Sequence, residues 1–310
     1  MKKKITVFVF AFIILLLGGE LLSRYYLGLG DPPLTIQHGE IEYMFRPNQD
    51  VKRFGNRIKI NEFGMRSAPF TRNKDENELR ILLFGDSVLH GGSLTDQNDL
   101  ASTIVENKLT SYVSEITVGN VSAGSWGPGN WLAYSKEYGF FDSDIIILLI
   151  SSHDYYDIPT FEPLNQSTHP THKPLSALAE GLTRYLPRYM PDVLRFGSEE
   201  SKNKTQDITR DGSEEIENFL KLAQKNSRKL FVFKHWEESE LSRKELNIGG
   251  NEILELCKKK NIEVVSMKHH YDKAMKNGIN PYRDNIHLNA EGQKILASVI
   301  YKKVKNEIIN

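Results

Sequence analysis

The sequence predicts a doubly wound α/β protein: a parallel sheet with helices on both faces, behind an N-terminal membrane helix. Two observations predict the sheet and a third the membrane helix. Short, largely apolar runs recur at residues 80–84, 116–118, 144–150, 229–233 and 262–265. Segments of helical period lie between and after them, at 100–109, 214–224, 251–260 and 290–304. Strands buried on both faces and alternating with helices form parallel sheets sandwiched between helix layers. Residues 5–19 are uncharged and almost wholly apolar, and come directly after Met1-Lys2-Lys3-Lys4.

The 310 residues allow one large domain with additions, or about two domains. At 39% hydrophobic and 26% charged, the chain has enough apolar material for a core. Forty basic residues balance forty acidic ones, which removes the global electrostatic footprint of a duplex-coating protein, so nucleic acid is not an expected partner. Cys257 is the only cysteine, so no intrachain disulfide can form and no Cys/His cluster has zinc spacing. Cys257 is expected to be a small apolar residue in a helix.

Residues 1–24 are expected to be a signal anchor, completed through Leu22 with Glu20 near the membrane surface. No clear small-x-small cleavage site comes after it, so an uncleaved anchor is favoured over a removed signal peptide and a secreted product. No cysteine stands there either, which excludes a bacterial lipoprotein. The three lysines are expected to keep the N-terminus cytoplasmic and the remainder extracytoplasmic. Residues 25–78, rich in Gly, Pro, Asn and Arg, read as a stem. Alternation at 57–60 suggests one or two small strands packed against the rest of the chain. Residues 79–310 form the main domain, with an insertion at about 155–212 that is too long for an ordinary connection. Within it, 175–182 reads equally as a short amphipathic helix covering the site or as surface loop.

In such sheets ligands bind beyond the carboxyl ends of the strands. The first apolar run leads directly into Gly85-Asp86-Ser87, so a tight turn presents a hydroxyl at that edge. Ser87 is the nucleophile candidate, and it needs a base. Asp284-Asn285-Ile286-His287 precedes the last helix. One loop therefore supplies both base and orienter: Asp284 holds one ring nitrogen of His287 while the other faces Ser87. The chain order Ser, Asp, His suits this geometry. Asp86 is read as fixing the turn by hydrogen bonding.

With these blocks in place, residues 79–310 resemble the SGNH, or GDSL, hydrolase family. The first block is Gly85-Asp86-Ser87-Val88. The last, and most specific, is Asp284-Asn285-Ile286-His287-Leu288-Asn289-Ala290-Glu291-Gly292. The resemblance implies a flavodoxin-like three-layer α/β/α sandwich, ester hydrolysis or acyl transfer through an acyl-serine, and neither metal nor cofactor. It also implies an oxyanion hole. Its donors are the backbone N–H of Ser87, that of a glycine in the second block (Gly124, with Gly127 as the alternative), and a third-block side chain. Where the family usually has Gly-x-Asn-Asp, this chain reads Ser151-Ser152-His153-Asp154. His153 thus falls on the asparagine's position, and a protonated imidazole can donate there.

His90 lines the pocket in this reading, while His169, His172, His269 and His270 are surface or packing residues. Tyr155, Tyr156, Trp126 and Trp131 lie in or just after loops at the carboxyl edge, where aromatics stack on sugars or simply pack. The segment Asn61-Glu62-Phe63-Gly64-Met65-Arg66 is similar to one that precedes the catalytic domain in membrane-anchored SGNH proteins linked to surface polysaccharides. The combined expectation is a membrane-anchored serine esterase removing a small acyl group, acetyl above all, from envelope or extracellular carbohydrate. The alternatives are an O-acyltransferase using the same triad, a lipase, and a non-catalytic glycan-binding scaffold.

Overall fold

The computed structural model describes residues 2–186 and 211–309. Residues 187–210, within the expected insertion, lie outside them. Helix α1 (Lys2–Tyr25) is long and apolar enough to cross a membrane, and its apolar side chains are exposed.

Residues 25–78, expected from sequence to be a stem with one or two strands, hold four: β1 (Thr35–His38) and β2 (Glu42–Phe45) pair antiparallel, as do β3 (Gln49–Arg53) and β4 (Asn56–Ile60). Only the last shows clear alternation in sequence. Then come β5 (Glu78–Gly85), β6 (Glu115–Ser122), β7 (Ile145–Ile150), β8 (Lys229–Lys234) and β9 (Val264–Ser266), all parallel, in the order β6-β5-β7-β8-β9. This is the expected doubly wound fold, with its chain reversal between β5 and β7. Among the described residues the further α-helices are α2 (Ser87–His90), α3 (Ala101–Leu109), α4 (Pro128–Tyr138), α5 (Ala177–Glu180), α6 (Ser213–Asn226), α7 (Glu238–Arg243), α8 (Ile248–Lys259), α9 (Lys268–Lys276) and α10 (Ala290–Ile309).

Side chains alternate across β5 and build two cores. Leu82 and Phe84 pack with Trp131 of α4, Phe219 of α6, and Ile253 and Cys257 of α8. Ile81 and Leu83 pack with Val105 and Leu109 of α3, Tyr271 of α9, and Leu296 and Ile300 of α10. Ile41, Tyr43, Ile58, Ile60 and Met65 of the stem belong to the first of these cores.

The Asn61–Arg66 segment has a mechanical role. Asn61 Oδ1 accepts from the N–H groups of Phe63 and Met65, both at 3.0 Å. Gly64 sits at φ +73°, where a Cβ would lie 2.5 Å from Met44 Cε and 2.9 Å from the Phe45 carbonyl oxygen. The turn delivers Arg66, fully buried, to the loop after α2. There its guanidinium donates to the carbonyls of His90, Gly92 (2.6 Å) and Thr95 (2.6 Å). Burial among carbonyls pulls its pKa down to about 9.

Residues 176–180 dock on α1, on Gly30 and on β3. Glu20 accepts from the N–H groups of Ala177 (3.0 Å) and Leu178 (2.9 Å) and from Ser176 Oγ (2.8 Å). Glu180 pairs with Arg53 at 2.6 Å and accepts from the Gly30 N–H at 2.6 Å.

Arg66→Ala removes the donor from three carbonyls at once. Urea unfolding is expected to show a loss of roughly 2–4 kcal/mol; a midpoint equal to that of the parent protein would contradict the clasp.

Candidate active site

Strand β5 ends at Gly85, where a Cβ would lie 2.9 Å from Leu89 Cβ and 3.2 Å from the Leu149 carbonyl, so the turn closes only around glycine. The next residue, Asp86, caps α2 by accepting from the Val88 N–H at 2.9 Å. Ser87 opens the helix. Among the described residues, no acceptor pairs with the N–H of Ser87 or of Gly124.

The loop before α10 is closed by antiparallel pairing of Tyr282 with Leu288 and by Asn289, whose amide donates to the carbonyls of Asn280 (2.8 Å) and Tyr282 (3.1 Å). This accounts for the Leu288-Asn289 part of the last sequence block. On the loop, Asp284 accepts from the backbone N–H groups of Ile286 (3.0 Å) and His287 (2.8 Å) and lies 2.8 Å from His287 Nδ1. Against the opposing effect of burial, those N–H groups and the imidazole hold its carboxyl below the usual range. His287 Nε2 is 2.9 Å from Ser87 Oγ. Serine, imidazole and carboxylate therefore form one hydrogen-bonded line at the carboxyl edge of the sheet.

His235, which the sequence reading passed over, supports this loop from beneath. Burial and the neighbouring Lys234 bring its pKa down to about 3, so the ring is neutral. Its Nε2–H donates to the Ile286 carbonyl at 2.9 Å, and Nδ1 accepts from the Tyr271 hydroxyl at 3.2 Å.

The expected oxyanion donors separate. Gly124 borders a cavity of ≈ 160 Å³ shared with Tyr43, His90, Gly92 and Ser93. The Gly127 N–H donates to Asn130 Oδ1 at 2.8 Å, so it is not free for an oxyanion. The direct-donor expectation for His153 needs correcting on the same ground, because both ring nitrogens are occupied. Nε2 lies 2.9 Å from Asp86 Oδ2, and Nδ1 lies 3.2 Å from Glu237 Oε1. Burial works against charge there, but the carboxyl groups of Asp154, Asp86 and Glu237 push the pKa up to about 12. Asp154 is itself raised well above the carboxylate range by burial and by the charge of Asp86, and Asp157 is raised to about 6, mainly by burial.

Asp86, His153 and Asp154 place possible ligand atoms within 4.8 Å of one another. With the imidazole protonated on the nitrogen that Asp86 holds, the trio is a charge-compensated cluster, and a metal would have to displace that proton. Trp126 and Trp131 are core residues, not sugar platforms: their indole N–H groups donate to the carbonyls of Tyr43 (3.0 Å) and Gly85 (2.9 Å), and both rings are buried. His90 stacks on Phe45 with ring centroids 4.6 Å apart, and borders the cavity beside Gly124.

No family model and no curated protein matches the chain. Among solved structures it is similar to the lipase/acylhydrolase from Enterococcus faecalis (12% identity, TM-score 0.46, covering 74% of this chain and 96% of that one). It is likewise similar to a catalytic mutant of an acetylxylan esterase from Geobacillus stearothermophilus (12%, 0.46, 76% and 96%). A two-domain esterase active on acetylated mannans is similar over 74% of this chain and 49% of its own, at 13% identity and TM-score 0.47.

A histidine whose pKa is raised from 6.5 to about 12 stabilises the fold fully below pH 6.5 and progressively less as pH rises toward 12. Unfolding free energy is therefore expected to fall above pH 6.5, by up to about 1.4 kcal/mol per pH unit from this group. His153→Gln should remove that component, and an identical slope in the variant would contradict the assignment.

Proposed function

We propose that the protein is a membrane-anchored serine esterase that removes a small acyl group from cell-envelope or extracellular carbohydrate. The observation that carries this reading is the line from Ser87 Oγ through His287 to Asp284, at 2.9 and 2.8 Å, at the edge where this fold binds ligands. In this reading Ser87 Oγ attacks the ester carbonyl as His287 Nε2 takes its proton. Asp284 stabilises the resulting imidazolium. The backbone N–H groups of Ser87 and Gly124 receive the oxyanion. His287 returns the proton to the departing sugar oxygen, leaving an acyl-serine. Water, deprotonated by the same imidazole, then releases the acid and regenerates the hydroxyl.

Residues 79–310 are the catalytic domain in this reading, 25–78 its stem, and 155–212 an insertion. Helix α1 is a retained anchor, with its N-terminus cytoplasmic and the remainder extracytoplasmic. Its last turns support retention, since cleavage beyond Glu20 would strip the cap from α5. The carbohydrate substrate is inferred from this placement and from the resemblance carried by the Asn61–Arg66 segment.

The full chain in detergent should hydrolyse acetylated sugars faster than phospholipid. Ser87→Ala is expected to lower kcat by at least on the order of 1000-fold, with Asp284→Asn impaired but less so. Equal turnover by Ser87→Ala and the parent enzyme would refute the mechanism.

A further inference from the structure

His153 stands where two structural pieces meet. On one side its Nε2 faces Asp86 Oδ2 at 2.9 Å, and the other oxygen of Asp86 accepts from the Val88 N–H, one residue beyond Ser87. On the other side its Nδ1 faces Glu237 Oε1 at 3.2 Å. The second oxygen of Glu237 accepts from the side-chain amides of Asn247 and Asn285, each at 3.4 Å. Asn285 is the residue after Asp284 in the loop that carries His287. The same residue receives the Glu238 N–H on its carbonyl (2.8 Å) and the Ser239 N–H on Oδ1 (3.0 Å).

We infer that His153 is a positioning residue: as an imidazolium bridge between Asp86 and Glu237, it fixes the Ser87 turn relative to the Asp284–His287 loop. An ionised carboxylate only accepts hydrogen bonds, so an imidazole facing one at each nitrogen must donate from both and carry a proton on each. The surrounding groups agree with a cation there. Asp157 Oδ2 lies 3.9 Å from Nε2, while Asp154 Oδ1, at 3.7 Å, belongs to a carboxyl whose pKa burial and Asp86 raise. The nearby Lys234 turns its ammonium to the His235 carbonyl at 2.5 Å, Glu240 is held by Ser152 Oγ and the Asn247 N–H, and His235 is neutral. His153 is the cation that directly contacts both Asp86 and Glu237. An asparagine in its place brings no charge, and leaves those two carboxylates facing each other across a buried gap.

This bridge goes beyond the esterase reading but rests on it for its kinetic consequence, so two measurements are paired. In full-length protein labelled with ¹⁵N-histidine, the His153 ring should stay protonated at both nitrogens from pH 5 to 9. A ring that titrates or is neutral within that range overturns the bridge, whatever the enzyme does. In kinetics, His153→Asn should lower kcat about 10–100-fold with KM little changed, and adding Glu237→Gln, which removes the orphaned charge, should recover most of the loss. A direct oxyanion donor gives the opposite pattern: His153→Asn stays active because the amide donates, and Glu237→Gln brings no recovery. If His153→Asn does not fold, the parent protein's ring protonation still decides. A doubly protonated His153 in a protein without esterase activity sinks the esterase reading while leaving the bridge in place.

Discussion

A carboxylate buried to 1% exposure, Asp86, governs the arrangement around the site. Its position is dictated by the nucleophile turn, where one oxygen caps α2. Its remaining charge, out of water, demands a cation or several donors. His153 answers that demand from the end of β7, and by doing so acquires Glu237 from the end of β8. Glu237 in turn holds Asn285 in the loop between α9 and α10. One electrostatic requirement thus links the connections after three strands and the final loop. Ser87 and His287 lie 200 positions apart in sequence, and this linkage joins the segments that carry them.

The sheet order brings those loops together. With β5 and β7 adjacent and the chain reversing between them, the turns after both strands open onto the same crevice. The stem reinforces it from outside. Its hairpins share a core with the sheet, and Arg66 gathers three carbonyls of the loop beyond α2. The nucleophile turn is therefore held from below by packing, from one side by the stem, and from the other by the charge network.

Much of this was legible in the sequence. The doubly wound sheet was visible because strands buried on both faces leave unbroken apolar runs. Ser87, Asp284 and His287 stood out because each adjoins an element boundary, and because carboxylate and imidazole share one loop. Helix α4 was not legible: its apolar face is aromatic and interrupted by Ser135 and Asn130, and Pro128 and Gly129 at its start read as loop. Trp126 and Trp131 lie near the ligand edge in sequence, yet their indole N–H groups turn inward to backbone carbonyls. His235 and Glu237 were missed although they stand just after the fourth apolar run, at the same edge as the other site residues. What hid them was partnership. Their roles depend on Tyr271, Ile286 and Asn285, which only folding brings near.

The central claim is that Ser87 is an activated nucleophile. Exposure of the full-length protein to an active-serine phosphonate, with peptide mass mapping of the product, tests it without knowledge of the natural substrate. One adduct per chain is expected, located on Ser87 and abolished by His287→Asn in a protein that still folds. A folded protein that takes no label, or takes it at another residue, contradicts that claim.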